Sequence, residues 1–375
     1  MRVLMISKAN VTRSYRTKLW YLNQHPGVTV GLVVPPRWAQ LPFEPMPEDQ
    51  SYPLFIRPIW LNGRNHLHRY PGLKALVREF KPDLIHIDEE HYSLVTGEVI
   101  QLANGMGIPS IFFTWQNIYK RYPWPFSAVE KRVLQSARAA IAGNQEALEV
   151  LRRKGFQAPI EVIPQFGTDA RIFYPMDATA LRQRLGFSED TVAIGYVGRM
   201  IVDKGLDDLL GAMVPVLKAN SRVRLVLVGS GPWQEVGKRR TQEDGVQDRV
   251  AFVPWMASTE MPQLMNALDV LVLPSRTTPS WKEQFGRVLT EAMATKTPVV
   301  GSSSGEIPSV IGEAGMIFPE GDVDRLSEIL TELSQDPRVR LRLGEAGFTR
   351  VQQRFTQEAV AKETLAVYAN VLAKT

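Results

Sequence analysis

Apolar positions along this chain fall in short unbroken runs rather than in strict alternation with polar ones. RVLMIS (2–7), VTVGLVVP (28–35), DLIHID (83–88), SIFFTW (110–115), AAIAG (139–143) and IEVIP (160–164) have strand length. Unbroken apolarity predicts strands covered on both faces, as in a parallel sheet between helices. Helical spacing of apolar residues fills the gaps at 69–80, 92–106, 127–136 and 144–154. The pattern then restarts: VAIGYVG (192–198), VRLVLVG (223–229), RVAFVP (249–254), VLVLPS (270–275), PVVGS (298–302) and MIFP (316–319), with helical stretches at 204–219, 258–268 and 286–295 among the segments between. Two doubly wound α/β units in tandem are expected, with the polar, proline-containing segment around 167–190 as linker. The last twenty residues place Ala361, Leu365, Tyr368 and Leu372 at helical spacing and predict a terminal helix docked on a domain.

Length agrees with this division, since 375 residues suit two cores better than one. There is no cysteine, which excludes disulfides, thiolate catalysis and cysteine-ligated metals. No run approaches the roughly 20 apolar residues of a membrane span, and VLMIS near the start is too short for a signal peptide. A cytoplasmic location is expected. The net charge of +5 is uneven. Residues 1–168 hold 20 Lys/Arg against 13 Asp/Glu, a surplus of 7, which leaves the remainder at −2. A basic first half suggests an anionic partner, and peripheral contact with the inner face of a membrane is one candidate. Nucleic acid has no motif behind it.

Two stretches carry candidate chemistry. In YVGRMIVDKGL (196–206) a strand runs into Gly198-Arg199, and Lys204-Gly205 opens the following helix. Glycine lets a phosphate approach the backbone, arginine offers a fork for two oxygens, and lysine a mobile point charge. A lysine at a helix start also opposes the macrodipole, which favours a functional reading over a merely exposed side chain. In EQFGRVLTEAMA (283–294), Glu283 and Glu291 flank a Phe285-Gly286 step at a helix start. Carboxylates only accept hydrogen bonds, so each can bridge neighbouring hydroxyls, and a hexose and a ribose both present such pairs. Taken alone, Glu283 reads better as a cap and Glu291 as an exposed helix residue. Together with the Gly-Arg…Lys-Gly turn in the same half, they describe a site for one sugar nucleotide, with its phosphates over Phe285-Gly286.

The combination YVGRMIVDKGL, LVLVGSGP, VLVLPSR, EQFGRVLTEAMATKTPVVGSSSGEIPSVI and GMIFPEGD resembles the retaining glycosyltransferases of family 4, of GT-B fold. The resemblance implies two Rossmann-like domains facing across a cleft: an acceptor domain at 1–168, a donor domain at 169–355, and a helix at 356–375 crossing back to the first. It implies transfer of a sugar from a UDP- or GDP-sugar co-substrate to a small-molecule, lipid-linked or glycan acceptor, with retention and without an obligatory metal or cofactor. Arg199 and Lys204 would stabilise the diphosphate, Glu283 would meet the sugar and Glu291 the ribose. Gly198, Gly229, Val253, Met256, Gln284, Phe285, Gly286, Val288 and Leu289 complete the donor side, and Arg13, Tyr15, His86, Gln116 and Asn117 are the acceptor-side candidates. Two departures fall on the acceptor side: SKANVTRSY stands where the family often has a glycine-rich loop, and Trp115-Gln116-Asn117 where it often has a histidine.

Several features have plainer readings. HIDEEH (86–91) reads better as a strand end entering an acidic loop than as a metal site. YKRYPWPF (119–126) is either a packed loop or a membrane- or ring-binding one. A dinucleotide oxidoreductase is disfavoured because no G-x-G-x-x-G follows either first strand. A non-catalytic sugar-nucleotide binder, or an epimerase or phosphorylase of the same fold, stays open as the alternative.

Overall fold

The structure, a computed structural model, describes residues 1–374. It divides into two compact units, one of residues 1–169 with 356–374, the other of residues 170–355. In the first, the order is β1 (Arg2–Ile6), α1 (Arg13–Asn23), β2 (Thr29–Val34), a small hairpin of β3 (Arg37–Trp38) and β4 (Leu41–Pro42), β5 (Leu54–Ile56), α2 (Leu73–Phe80), β6 (Leu84–Ile87), α3 (Leu94–Gly105), β7 (Ser110–Thr114), α4 (Phe126–Ser136), β8 (Ala139–Ala142), α5 (Gln145–Arg153) and β9 (Ile160–Val162). Seven strands form one parallel sheet in the order β5-β2-β1-β6-β7-β8-β9. Separate apolar clusters cover its two faces, as the unbroken runs required.

The second unit continues with α6 (Thr179–Arg184), β10 (Val192–Val197), α7 (Leu206–Ala219), β11 (Val223–Val228), α8 (Trp233–Glu243), β12 (Val250–Val253), α9 (Met261–Ala267), β13 (Val270–Leu273), α10 (Arg287–Ala294), β14 (Val299–Ser302), α11 (Ile307–Ile311), β15 (Met316–Phe318), α12 (Val323–Gln335) and α13 (Pro337–Arg354). Its six-stranded parallel sheet runs β12-β11-β10-β13-β14-β15. The chain then returns to the first unit as α14 (Gln357–Leu372), whose Val360, Ala361, Val367, Tyr368 and Val371 are buried in that unit's core. Its start is fixed by Gln357, whose side-chain amide donates to the Ser14 carbonyl at 2.8 Å.

In both sheets the strand order reverses at one place, between β1 and β6 and between β10 and β13. Outside the carboxyl ends of such a strand pair the connections leave in opposite directions and open a crevice for ligands. In the second unit these ends carry Gly198-Arg199 and the loop from Pro274 to Glu283.

The expected linker at 167–190 is shorter than the sequence reading has it. Residues from Ala170 onward belong to the second unit, α6 forms within the segment, and Ala178, Leu181 and Phe187 are buried in that unit's core. Their apolarity is diluted by arginines and prolines, which hid it. The helix expected from residue 69 begins at Leu73, because Gly72 caps it in the left-handed conformation.

Candidate functional site

The turn after β10 is built on glycines that no other residue can replace. Gly205 caps α7 at φ +64, and a Cβ there would lie 1.9 Å from the Pro274 carbonyl oxygen. Gly229, after β11, has φ +136, and its Cβ would meet the Gly198 oxygen at 2.0 Å. The loops at the carboxyl ends of β10, β11 and β13 therefore touch backbone to backbone. A side-chain clamp completes the packing. Arg276 donates through Nε to Asp208 Oδ2 at 2.5 Å, with a second contact of its guanidinium to Oδ1, tying the loop after β13 to the first turn of α7. Asp208 is itself buried.

Within this frame Lys204 and Glu283, 79 residues apart in sequence, meet at 2.6 Å between Nζ and Oε2. The same oxygen accepts from Ser275 Oγ at 2.8 Å. The ammonium lies 4.5 Å from the centre of the Trp281 ring. Lys204 is thus oriented from two sides, by a charge and by an aromatic face. Glu283 is 9 % exposed, and its carbonyl accepts from the Glu306 amide at 3.0 Å. Arg199 is exposed and its side chain extends from the neighbouring turn, while its carbonyl accepts from the Tyr196 hydroxyl at 2.7 Å. Burial pushes that hydroxyl well above the ordinary tyrosine value. The Glu283 carboxylate pushes it the same way and the Arg199 charge opposes it.

Gly286, at φ +76, caps α10 and leaves no side chain over its first amides. Glu291 lies in the second turn, with Oε1 3.0 Å from Nε of Arg287. Burial raises its carboxyl above the usual range and Arg287 works against that. The remaining donor-side candidates divide by environment. Gln284 is exposed, and Phe285 and Val288 are half-buried. Leu289 and Met256 are buried in the core, so a ligand could meet only their backbone. Val253 pairs with Val228, and its carbonyl accepts from the Gly229 amide at 3.0 Å. Trp255, one residue before Met256, is 62 % exposed.

In the first unit the acceptor-side candidates fare unevenly. His86 is not accessible: it is 1 % exposed in the middle of β6, and its Nδ1 faces the Tyr368 hydroxyl at 2.7 Å. Burial, reinforced by the charge of Lys18, holds its imidazole well below the ordinary value. The expectation that it meets an acceptor is corrected, because strand alternation turns it under α14 with Leu84. Arg13 is exposed at the start of α1, and Tyr15 stacks on Phe166 at 3.7 Å. Gln116 donates to the Tyr122 hydroxyl at 2.9 Å and Asn117 to Glu146 at 3.2 Å.

Sequence reasoning missed a set of buried charges at the switch point of this sheet. Arg16, fully buried, forks onto Asp49 at 2.9 and 3.2 Å and donates to the Asn10 and Val11 carbonyls. Lys18 donates to the Gln165 carbonyl at 2.7 Å, and burial lowers its ammonium against the pull of Asp88. Asp88 accepts from Ser7 at 2.7 Å, while burial raises its carboxyl. Glu89 pairs with Lys8, and His68 stands 3.5 Å away. Burial pushes Glu89 upward, yet Lys8 and His68 outweigh it and hold the carboxyl at about 2. The remaining histidine of HIDEEH, His91, faces Glu130 at 3.0 Å.

Comparison with known proteins joins these observations. A family model described as "Glycosyl transferases group 1" matches residues 177–350, and one described as "Glycosyl transferase 4-like domain" matches residues 11–165. The chain belongs to the group 1 glycosyltransferases. Among curated relatives of this family, a GDP-mannose-dependent monoacylated alpha-(1-6)-phosphatidylinositol monomannoside mannosyltransferase from Corynebacterium glutamicum is 32 % identical over 56 % of this chain and 55 % of its own. A D-inositol 3-phosphate glycosyltransferase from Kribbella flavida is 31 % identical over 64 % and 58 %. The matches thus span little more than half the length of these two relatives. Among solved structures, sucrose-phosphate synthase from Thermosynechococcus elongatus superposes over the whole of both chains with TM-score 0.74 at 23 % identity. Anabaena HepE in complex with UDP superposes over 99 % of this chain and all of its own with TM-score 0.75 at 20 % identity. At these identities the likeness shows the fold, two Rossmann-like units of GT-B type.

Proposed function

We propose that this group 1 glycosyltransferase is a retaining enzyme that takes a hexosyl group from a nucleoside-diphosphate sugar bound by residues 170–355, and that residues 1–169 serve the acceptor. The observation that carries the reading is the Lys204–Glu283 pair, set at the switch point of the second sheet, where the turn after β10 also carries Arg199. A bound diphosphate offers Arg199 an anion and Lys204 a second one beside Glu283, and sugar hydroxyls offer Glu283 donors in place of the ammonium. Glu291 takes the ribose diol, and the α10 amides above Gly286 take phosphate oxygens.

The bond from the anomeric carbon to the β-phosphate oxygen breaks, and both electrons stay on the diphosphate. The acceptor oxygen bonds to the same face of that carbon, and its proton passes to the departing phosphate oxygen. Negative charge grows where Lys204 is already oriented by Glu283 and Trp281 and where Arg199 adds a second cation, and preorganised charge of this kind is the largest single contribution in many enzymes. Support for a UDP- or GDP-sugar comes from the GDP-mannose dependence stated for the Corynebacterium relative and from the UDP held by HepE.

A thermal-shift screen of UDP-, GDP- and ADP-sugars, followed by assay of hydrolysis and transfer with the best binder, tests the proposal. Stabilisation by one nucleotide class together with sugar release supports it. Stabilisation without any turnover in the presence of glycan, polyol and lipid-linked acceptors identifies a binder instead.

A further inference from the structure

We propose that the first unit docks on an anionic lipid bilayer through the loop 119–126, with the Trp124 indole in the interface and the surrounding cations against lipid phosphates. Residues 117–155 carry eight Lys/Arg and three Asp/Glu, a surplus of 5 that equals the formal charge of the entire chain. Lys120 and Arg121 in the loop, Lys131 and Arg132 on α4, and Arg152 and Arg153 at the end of α5 are all exposed. Contacts join part of this set into one surface: Arg153 lies over the Tyr119 ring at 4.3 Å, and Lys154 donates to the Lys120 carbonyl at 2.6 Å. Arg132 instead donates to Gln101 on α3 at 3.3 Å, and Arg152 to the Phe156 and Ala158 carbonyls at 2.7 and 2.9 Å. A groove of about 410 Å³ runs between α4 and α5, with Lys131, Arg153 and Lys154 on its walls. Its acid, Glu130, is engaged by Lys154 at 2.6 Å and by His91 at 3.0 Å. Of the other two, Glu146 accepts from Asn117 and Glu149 lies on α5 one turn before Arg153.

The aromatic residues of the loop separate a bilayer from a nucleic acid. Tyr119 is covered by Arg153, Tyr122 stacks on Tyr92 at 4.3 Å, and Phe126 packs 5.8 Å from His66. Trp124 alone projects, at 83 % exposure the most open large apolar side chain among the described residues. A strand of bases needs several free aromatic faces in a row. A single exposed indole on a loop that also carries the exposed Lys120 and Arg121 suits the headgroup region, where its apolar body and N–H are both satisfied.

The test is co-sedimentation of the full chain, without donor, with vesicles of phosphatidylcholine or of phosphatidylcholine mixed with phosphatidylglycerol. Binding to the mixed vesicles only, weakened by salt, is expected. Each cation at the surface contributes roughly fivefold, so Lys120→Glu with Arg121→Glu should weaken partitioning by roughly 25-fold or more. Trp124→Ser should weaken it further and abolish the quenching of indole emission by brominated lipid. These side chains are exposed, so circular dichroism should show unaltered melting. Equal binding by the charge-reversed variant overturns the proposal, as does absence of binding at low salt. Retardation of a single-stranded oligonucleotide through the same residues, with vesicles ignored, overturns it in favour of nucleic acid. Because no donor is present, none of these outcomes bears on the sugar-transfer reading.

Discussion

Replacing Lys204 by alanine separates binding from catalysis at this site. The ammonium stands 2.6 Å from Glu283, with the two side chains 13 % and 11 % exposed, so the pair sits between bulk water and a dry interior. At an effective dielectric constant of about 20, unit charges about 4 Å apart attract by roughly 4 kcal/mol. In the free protein that charge is already compensated by Glu283, so its gain on donor binding is partial. In the transition state the diphosphate gains further negative charge, and the lysine contributes more there than in the ground state. Loss of one preorganised group of this type costs about 10²–10³ in kcat, roughly 3–4 kcal/mol. Lys204→Ala should therefore lower kcat by that factor while donor affinity changes by less than about tenfold, ~1.4 kcal/mol. Glu283 keeps its hydrogen bond from Ser275, so the variant should fold. Steady-state kinetics with the donor from the screen, calorimetry for its Kd and a melting curve make up the assay. A kcat within about threefold of wild type, ~0.7 kcal/mol, refutes the reasoning.

Other variants probe the neighbouring contacts. If Glu291 holds the ribose diol, a 2′-deoxynucleotide should bind less tightly than its ribo form, and the difference should vanish in Glu291→Ala by calorimetry. Because burial raises the Glu291 carboxyl, nucleotide affinity should begin to fall on acidification above the usual carboxylate range, and Glu291→Gln should flatten that profile. Gly205→Ala places a methyl 1.9 Å from the Pro274 oxygen at φ +64, so it should cost at least about 2 kcal/mol of stability, read from denaturant midpoints. Glu89, with a folded value of about 2 against 4.5 unfolded, adds stability that is present above 4.5 and lost as pH falls toward 2. The loss amounts to roughly 3 kcal/mol, and Glu89→Gln should remove that part of the acid-unfolding profile.

What the sequence showed and what it hid follow from one distinction. Buried parallel strands announce themselves through unbroken apolar runs, so VLMI in β1 and LVLV in β11 were legible to within a residue or two. Strand β5 was not, because it is a three-residue edge with Ile56 exposed. Residue types at the donor site were legible, since glycine, arginine, lysine and glutamate at those spacings have few other uses together. Their mutual contact was not: Lys204 meets Glu283 across 79 residues, and Ser275 and Trp281 look like ordinary loop residues until the switch point gathers them. Arg16 and Lys18 lie on α1, which the apolar pattern did not single out, and both are buried because Asp49 and the Gln165 carbonyl, distant in sequence, receive them. His86 shows the opposite error. A histidine near a strand end suggested a ligand contact, while the pleat directs it beneath α14.

The most direct measurement is a crystal structure with an intact nucleoside-diphosphate sugar. The account predicts diphosphate oxygens within about 3.2 Å of Arg199 and Lys204, a sugar hydroxyl donating to Glu283 in place of the ammonium, and the ribose diol on Glu291. A nucleotide seated elsewhere, with the Lys204–Glu283 contact intact, would contradict it.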